Sequence, residues 1–227
     1  MHSACDIETI DYMKTGHQQR DMLRAFFYSH VRLQHKKGDI LIRPEDDPGG
    51  VFLIEWGFVK AYTMTKYGEE NLLLVRGSGS IFPLIWAFTG EHRSVSYEAM
   101  EETSLWRVDK ADYLEFLEKN PDVLPVILDM TIEAYRLQSE RVMTLSYRTA
   151  RERIMSFLLV TASRFGVEKN NIVEIVAPFR QIDIASSVNA TRETTSRELS
   201  ILKKRGILTA VNGHIAIKDI EALKKLL

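Results

Sequence analysis

At 227 residues, 45% hydrophobic and 27% charged with no low-complexity tract, the chain can bury two ordinary cores and reads as globular. It has no run of about 18 apolar residues to form a membrane span, and Asp6, Glu8, Asp11 and Asp21 near its start argue against a signal peptide. The net charge of −1 excludes neither acidic nor basic partners, because it hides a strong asymmetry between the two ends.

The single cysteine, Cys5, cannot form an internal disulfide or hold an iron–sulfur cluster alone, and cytoplasmic residence is the default expectation. Residues 7–30 are expected to be an amphipathic helix, with Met22, Leu23, Phe26 and Phe27 at helical spacing. From Val31 to Val108 short runs of β-branched and aromatic residues alternate with Gly, Pro and Asp punctuation. Strands are predicted at Asp39–Arg43, Val51–Glu55, Phe58–Thr63, Asn71–Val75, Ser94–Ala99 and Ser104–Val108. Many short strands at regular spacing imply an antiparallel barrel or jelly roll. Residues 81–90 are apolar without alternation and predict a short helix or buried turn.

Helical periodicity returns at Asp109–Glu118 and continues over a long stretch from Asp122 to Tyr147. There Val123, Ile127, Met130, Ala134 and Leu137 form one apolar stripe, and Leu124, Leu128, Ile132 and Tyr135 a second. A helix apolar on two faces must bury both; one can rest on its own barrel, while the other wants a partner helix. A further helix starts at Thr149, where Thr149-Ala150-Arg151-Glu152 fits a capping box. A hinge is expected between Ser146 and Thr149. The apolar helix Ile154–Phe165 follows, ended by Gly166.

Residues 150–227 hold 13 Lys and Arg against 8 Asp and Glu, a net +5 beside −6 for residues 1–149. Within this basic third, Ile184, Ala185 and Val188 predict one short helix. Asn189 tolerates a left-handed turn, and Thr191 is a natural N-cap for a second helix with Leu199 and Leu202 inward. The second helix carries Arg192, Glu193, Ser196 and Arg197 on its outward N-terminal side. Arginine can donate two bonds to guanine, and glutamate can accept from cytosine. Lys203-Lys204-Arg205 suits phosphate oxygens. Asn212-Gly213 between two apolar runs is a type I′ hairpin signal and supplies a wing. A polar helix face is usually only solvated, but this ordered set points to double-stranded DNA.

The chain resembles the Crp/Fnr family over nearly its whole length. Arg192-Glu193-Thr194-Thr195-Ser196-Arg197 matches the family's Arg-Glu-Thr-x-x-Arg recognition motif, with Ser196 as in the Fnr-like branch. The resemblance implies an α+β fold: an N-terminal antiparallel jelly-roll β-barrel over 1–120, a dimerisation helix over 121–148 and a winged helix-turn-helix over 149–227. It implies base contacts from Arg192, Glu193, Ser196 and Arg197, and phosphate contacts from Gln181, Thr191, Thr194 and Lys203. It further implies a homodimer through the 122–147 helix, RNA polymerase as a partner and no enzymatic activity. Ser187 and Thr195 stand where the family prefers apolar residues, so looser packing between the two helices is expected.

The sensor segment departs from the cyclic-AMP-binding pattern. Ile81-Phe82-Pro83-Leu84 replaces Phe-Gly-Glu, while Arg93-Ser94 survives. Pro83 has no amide to donate and Leu84 cannot accept a ribose hydroxyl. Ser139 matches an adenine-contacting position, but Gln138 replaces its threonine neighbour. An effector pocket, if present, would draw on Arg93, Ser94, Phe82, Leu84, Gln138 and Ser139, with Trp86 and Phe88 nearby, although core packing is the commoner role for such apolar residues. No cyclic nucleotide, metal or other cofactor is expected. The six histidines are scattered, which also disfavours a cupin-like enzyme. A different small ligand, or regulation through abundance alone, remains.

Overall fold

The computed structural model describes residues 16–227, so Cys5, Asp6, Glu8 and Asp11 lie outside the described residues. Helix α1 (His17–Tyr28) buries Leu23 and Phe27, and its Phe26 stacks on Phe116 with ring centroids 4.0 Å apart.

The N-terminal half is a jelly roll of two antiparallel four-stranded sheets. One has the order β1 (Val31–His35), β8 (Thr103–Val108), β3 (Val51–Trp56), β6 (Ile81–Phe82). The other has the order β2 (Ile40–Ile42), β7 (Ser96–Ala99), β4 (Val59–Met64), β5 (Glu70–Arg76). Phe52, Ile54, Val59, Phe82 and Leu105 form one apolar cluster of this roll. No ladder joins the sheets among the described residues, so the jelly roll is an open sandwich.

Two strands absent from the sequence reading have physical reasons. The edge strand β1 is largely exposed and interleaves Arg32, Gln34 and His35 with its apolar residues, the composition that blunts a sheet edge. Residues 81–90 divide into the two-residue strand β6 and helix α2 (Leu84–Thr89).

Helix α3 (Lys110–Lys119) and one 3-10 turn lead into α4 (Leu124–Tyr147), 24 residues long. Val123, Val126 and Ile127 are buried in a cluster with Leu23 and Phe27, so the first predicted stripe rests on the jelly roll. The second is bare: Leu128 is 58% and Tyr135 74% exposed, and Val142, Met143 and Tyr147 extend the apolar surface. The chain leaves the helix at Arg148, which is extended, and re-enters it in α5 (Ala150–Phe165) under the predicted Thr149–Glu152 capping box.

Gly166 ends α5, as expected. Its φ is −82°, and it begins strand β9 (Gly166–Lys169) instead of capping α5 in the left-handed region. What requires glycine is space, because a Cβ there would lie 2.1 Å from the Ala162 carbonyl oxygen and 2.6 Å from Val173 Cγ1. β9 pairs with β10 (Ile172–Ile175), which pairs with β12 (His214–Ile217) and through it with β11 (Leu208–Val211). Helices α6 (Gln181–Ser187), α7 (Arg192–Lys204) and α8 (Ile220–Lys224) complete this C-terminal unit. Its core joins Ile154, Leu158, Ile184, Leu199, Leu202 and Ile217.

Candidate nucleic-acid interface

Helix α6 starts on a closed electrostatic clasp. The Asp183 carboxylate, 2% exposed, accepts from the Arg180 backbone amide at 2.7 Å and from its guanidinium at 3.0 and 3.1 Å. That pairing raises the Arg180 pKa and satisfies free amides at the helix start. Ile184 and Ala185 are buried, as their spacing predicts. Asn189 sits at φ 49°, the left-handed turn conformation. The turn is gripped from α5: Arg153 Nε donates to the Val188 carbonyl at 2.7 Å and its Nη2 to the Asn189 carbonyl at 2.9 Å.

Thr191 caps α7, its Oγ1 accepting the Thr194 amide at 3.1 Å and donating to Thr194 Oγ1 at 3.0 Å. Both predicted phosphate-contacting threonines therefore hold the helix start. Leu199 and Leu202 face the core, while Arg192, Glu193 and Arg197 are exposed and Ser196 is half-buried. Gln181, Lys203, Lys204 and Arg205 are exposed as well. Arg197 has a side chain 68% exposed, with its Nε 3.6 Å from Glu198; Arg151 approaches the same carboxylate at 3.7 Å. Glu198 thus steers two guanidinium groups from beneath the surface. The sequence reading missed both Arg153 and Glu198, since the turn that Arg153 holds and the Arg151 that approaches Glu198 are brought close only by the fold.

Between α6 and α7, Thr195 is fully buried and its hydroxyl has no hydrogen-bond partner among the described residues. The cost of that burial falls on the hydroxyl. The wing turn has Asn212 at φ 51° and Gly213 at 84°, as the Asn-Gly signal implies. Glu174 on β10 holds the wing, accepting from Asn212 at 3.3 Å and lying 2.9 Å from His214 Nδ1. The His214 hydrogen bond keeps this carboxyl below its usual pKa.

The proposed sensor residues are dispersed. Phe82 is fully buried, stacked on Phe52 at 5.4 Å and Tyr97 at 5.0 Å, whereas Leu84 packs beside Trp86 in a separate cluster. Phe88 is 49% exposed. Arg93 is exposed, and Ser94 donates to Glu45. On α4, Gln138 Nε2 donates to the Leu73 carbonyl at 3.0 Å, and Ser139 is half-buried. No group of three or more metal-ligating side chains occurs among the described residues. None of the described helices is long and apolar enough to cross a membrane.

Comparison with known proteins agrees with this architecture. Residues 32–120 match the cyclic nucleotide-binding domain model, and residues 152–226 match the Crp-like helix-turn-helix domain model. The chain is 26% identical over 184 residues to the transcriptional activator protein anr of Pseudomonas aeruginosa, covering 81% of this chain and 75% of that one. It is 24% identical over 204 residues to the nitrogen fixation regulation protein FixK of Bradyrhizobium diazoefficiens, covering 88% and 85%. Among solved structures, FixK2 from Bradyrhizobium japonicum superposes with a TM-score of 0.75 at 23% identity, over 86% of this chain and 96% of that one. A CooA mutant from Carboxydothermus hydrogenoformans does so with a TM-score of 0.73 at 24% identity, over 89% of each.

Proposed function

Since the chain belongs to the Crp/Fnr family of DNA-binding transcriptional regulators, we propose that it acts as a homodimer on a pseudo-palindromic operator. Two copies of α7 enter successive major grooves about one DNA turn, roughly 34 Å, apart. Arg192, Glu193, Ser196 and Arg197 read base edges, while Gln181, Thr191, Thr194 and Lys203 set the register on phosphates. The observation carrying this reading is the outward face of the first turns of α7, where two guanidinium groups and a carboxylate stand exposed on a capped helix.

The bare stripe of α4 supports pairing with a second copy, because a run of apolar side chains including Leu128, Tyr135 and Val142 recurs at helical spacing and is unburied in the single chain. In this reading the protein works in the cytoplasm, contacts RNA polymerase at promoters and catalyses no reaction. Cyclic AMP does not gate it, which the proline at position 83, the apolar Leu84 and the outward Arg93 support. Selection from a random duplex pool tests the central claim. A symmetric motif with half-sites one turn apart is expected, and recovery of only asymmetric or unrelated sequences would sink it.

A further inference from the structure

A cavity of about 250 Å³ lies where α1, β5, the Gly77–Ser80 loop, α4 and the end of α5 meet. It includes none of the residues expected for an effector, and its walls are strongly cationic. Arg20, Arg24, Arg76 and Arg164 line it, with Glu133 as the one carboxylate on the wall. Glu133 is taken by Arg164 at 3.6 Å, and Arg20 reaches Asp129, behind the wall, at only 3.9 Å. Arg24 has no carboxylate within salt-bridge distance among the described residues, and its guanidinium lies beside Gly79.

Arg76 is the least satisfied of the four. Its Nε is sealed from solvent with no hydrogen-bond partner among the described residues, and burial lowers its pKa. Arg164 is pulled down to about 10, first by desolvation and, against the pull of Glu133, by the charges of Arg76 and Arg136. Arg76 and Arg164, partly desolvated and repelling one another beside a single wall carboxylate, are costly to hold charged. A doubly charged oxyanion, bound through forked N–H donors, removes that cost.

We propose that this cavity binds a small phosphomonoester whose phosphate bridges Arg76 and Arg164 and is also met by Arg24 on the cavity wall. The volume falls below the usual ligand-pocket range of roughly 300–1,000 Å³, which suits a small phosphorylated metabolite. Arg164 belongs to α5, the helix from which Arg153 grips the helix-turn-helix, and its Nη2 donates to the Val75 carbonyl of β5 at 3.2 Å. A phosphate here therefore ties the sensor half to the DNA-binding half, and occupancy biases how α7 is presented. The binding claim stands alone; the regulatory claim rests on the function proposed above.

The test is thermal unfolding and calorimetry of the full chain with inorganic phosphate and glycerol phosphate, at ionic strength fixed with potassium chloride. Saturable stabilisation is expected, weakened at least ten-fold by Arg24→Gln and by Arg164→Gln. Lys203→Gln, on the DNA-facing side, should leave it unchanged. Loss of the effect in Lys203→Gln, its persistence in Arg24→Gln, or stabilisation no greater than with chloride overturns the site. Operator affinity measured with and without glycerol phosphate should differ in the wild type and not in Arg164→Gln. Equal affinities overturn the regulatory claim, whereas failure to bind any duplex overturns the proposed function and leaves the site standing.

Discussion

The guanidinium of Arg153 donates to the backbone carbonyl of Asn189 at 2.9 Å, 36 residues away along the chain. Together with its bonds to Val188 at 2.7 Å and to the Arg148 carbonyl at 2.9 Å, it joins the hinge, α5 and the turn between α6 and α7. Hydrogen bonds from a charged donor contribute roughly 1.5–3 kcal/mol. Arg153→Ala should therefore destabilise the C-terminal unit by about 2 kcal/mol and weaken operator binding, although no DNA contact is removed. Chemical denaturation and a gel shift on the same variant check both halves. Full operator affinity would show that the turn holds itself.

Thr195 offers the opposite sign. Its hydroxyl is buried on α7 without a partner among the described residues, and replacing an unsatisfied polar group by an apolar one of the same shape removes a desolvation penalty of roughly 1–3 kcal/mol. Thr195→Val should raise stability by about 1 kcal/mol, since valine and threonine have similar helix propensities. A calorimetric melting temperature below that of the wild type would mean that the hydroxyl is hydrogen-bonded in solution.

Much of this architecture was legible because its determinants are local. The Thr149 capping box, the turn at Asn189 and the Asn212-Gly213 hairpin each depend on a few adjacent residues, and all three are present as read. The β9–β10 hairpin escaped notice although Asn170 and Asn171 sit at φ 53° and 59°, the same left-handed pair; its strands are short, and β9 is exposed throughout. Gly166 was readable as the end of α5, but the need for glycine there was not, since it comes from the Ala162 carbonyl and from Val173, which the fold brings against the position. In the candidate interface the outward face of α7 was readable from periodicity. Glu198 was not, because a glutamate 9% exposed beneath two arginines has the same one-letter signature as any surface glutamate.

The exposed stripe of α4 predicts a subunit interface that can be broken without unfolding the chain. Leu128 is 58% exposed and lies on the face opposite Val126 and Ile127, so Leu128→Glu adds a charge to the pairing surface and leaves the jelly-roll contact alone. Sedimentation should show a dimer for the wild type and a monomer for the variant, with unchanged far-ultraviolet circular dichroism. A wild-type protein that sediments as a monomer at tens of micromolar would remove the basis for the symmetric operator.

The hinge cap should be acid-sensitive. The Thr149 hydroxyl and backbone amide both donate to the Glu152 carboxylate at 2.7 Å, and these bonds hold its pKa below the ordinary value of 4.5. A carboxyl more acidic folded than unfolded contributes its stabilisation fully above 4.5 and loses it as pH falls through the lower folded value. Glu152→Gln should thus melt below the wild type at pH 7, and the gap should close as pH drops under 4.5. A gap that stays constant down to acid pH would assign the difference to something other than the ionised cap.

Arg197 and Lys203 separate sequence reading from simple attraction. Arg197 stands on the early turns of α7 with its side chain 68% exposed and its Nε 3.6 Å from Glu198. Lys203 lies two turns on, at the basic end of the helix, where no carboxylate orients it among the described residues. A forked contact to guanine is worth about 1–3 kcal/mol of discrimination, whereas a phosphate contact shifts all sequences alike and lowers the salt slope by about 1. Arg197→Ala should therefore relax preference at one base pair per half-site with little change in salt dependence. Lys203→Ala should weaken every duplex similarly and flatten the salt dependence. Binding isotherms against a panel of single-base operator variants at several salt concentrations distinguish the two. Should Arg197→Ala weaken all members of the panel equally, the exposed fork reads phosphates, and specificity lies with Arg192 and Glu193 instead.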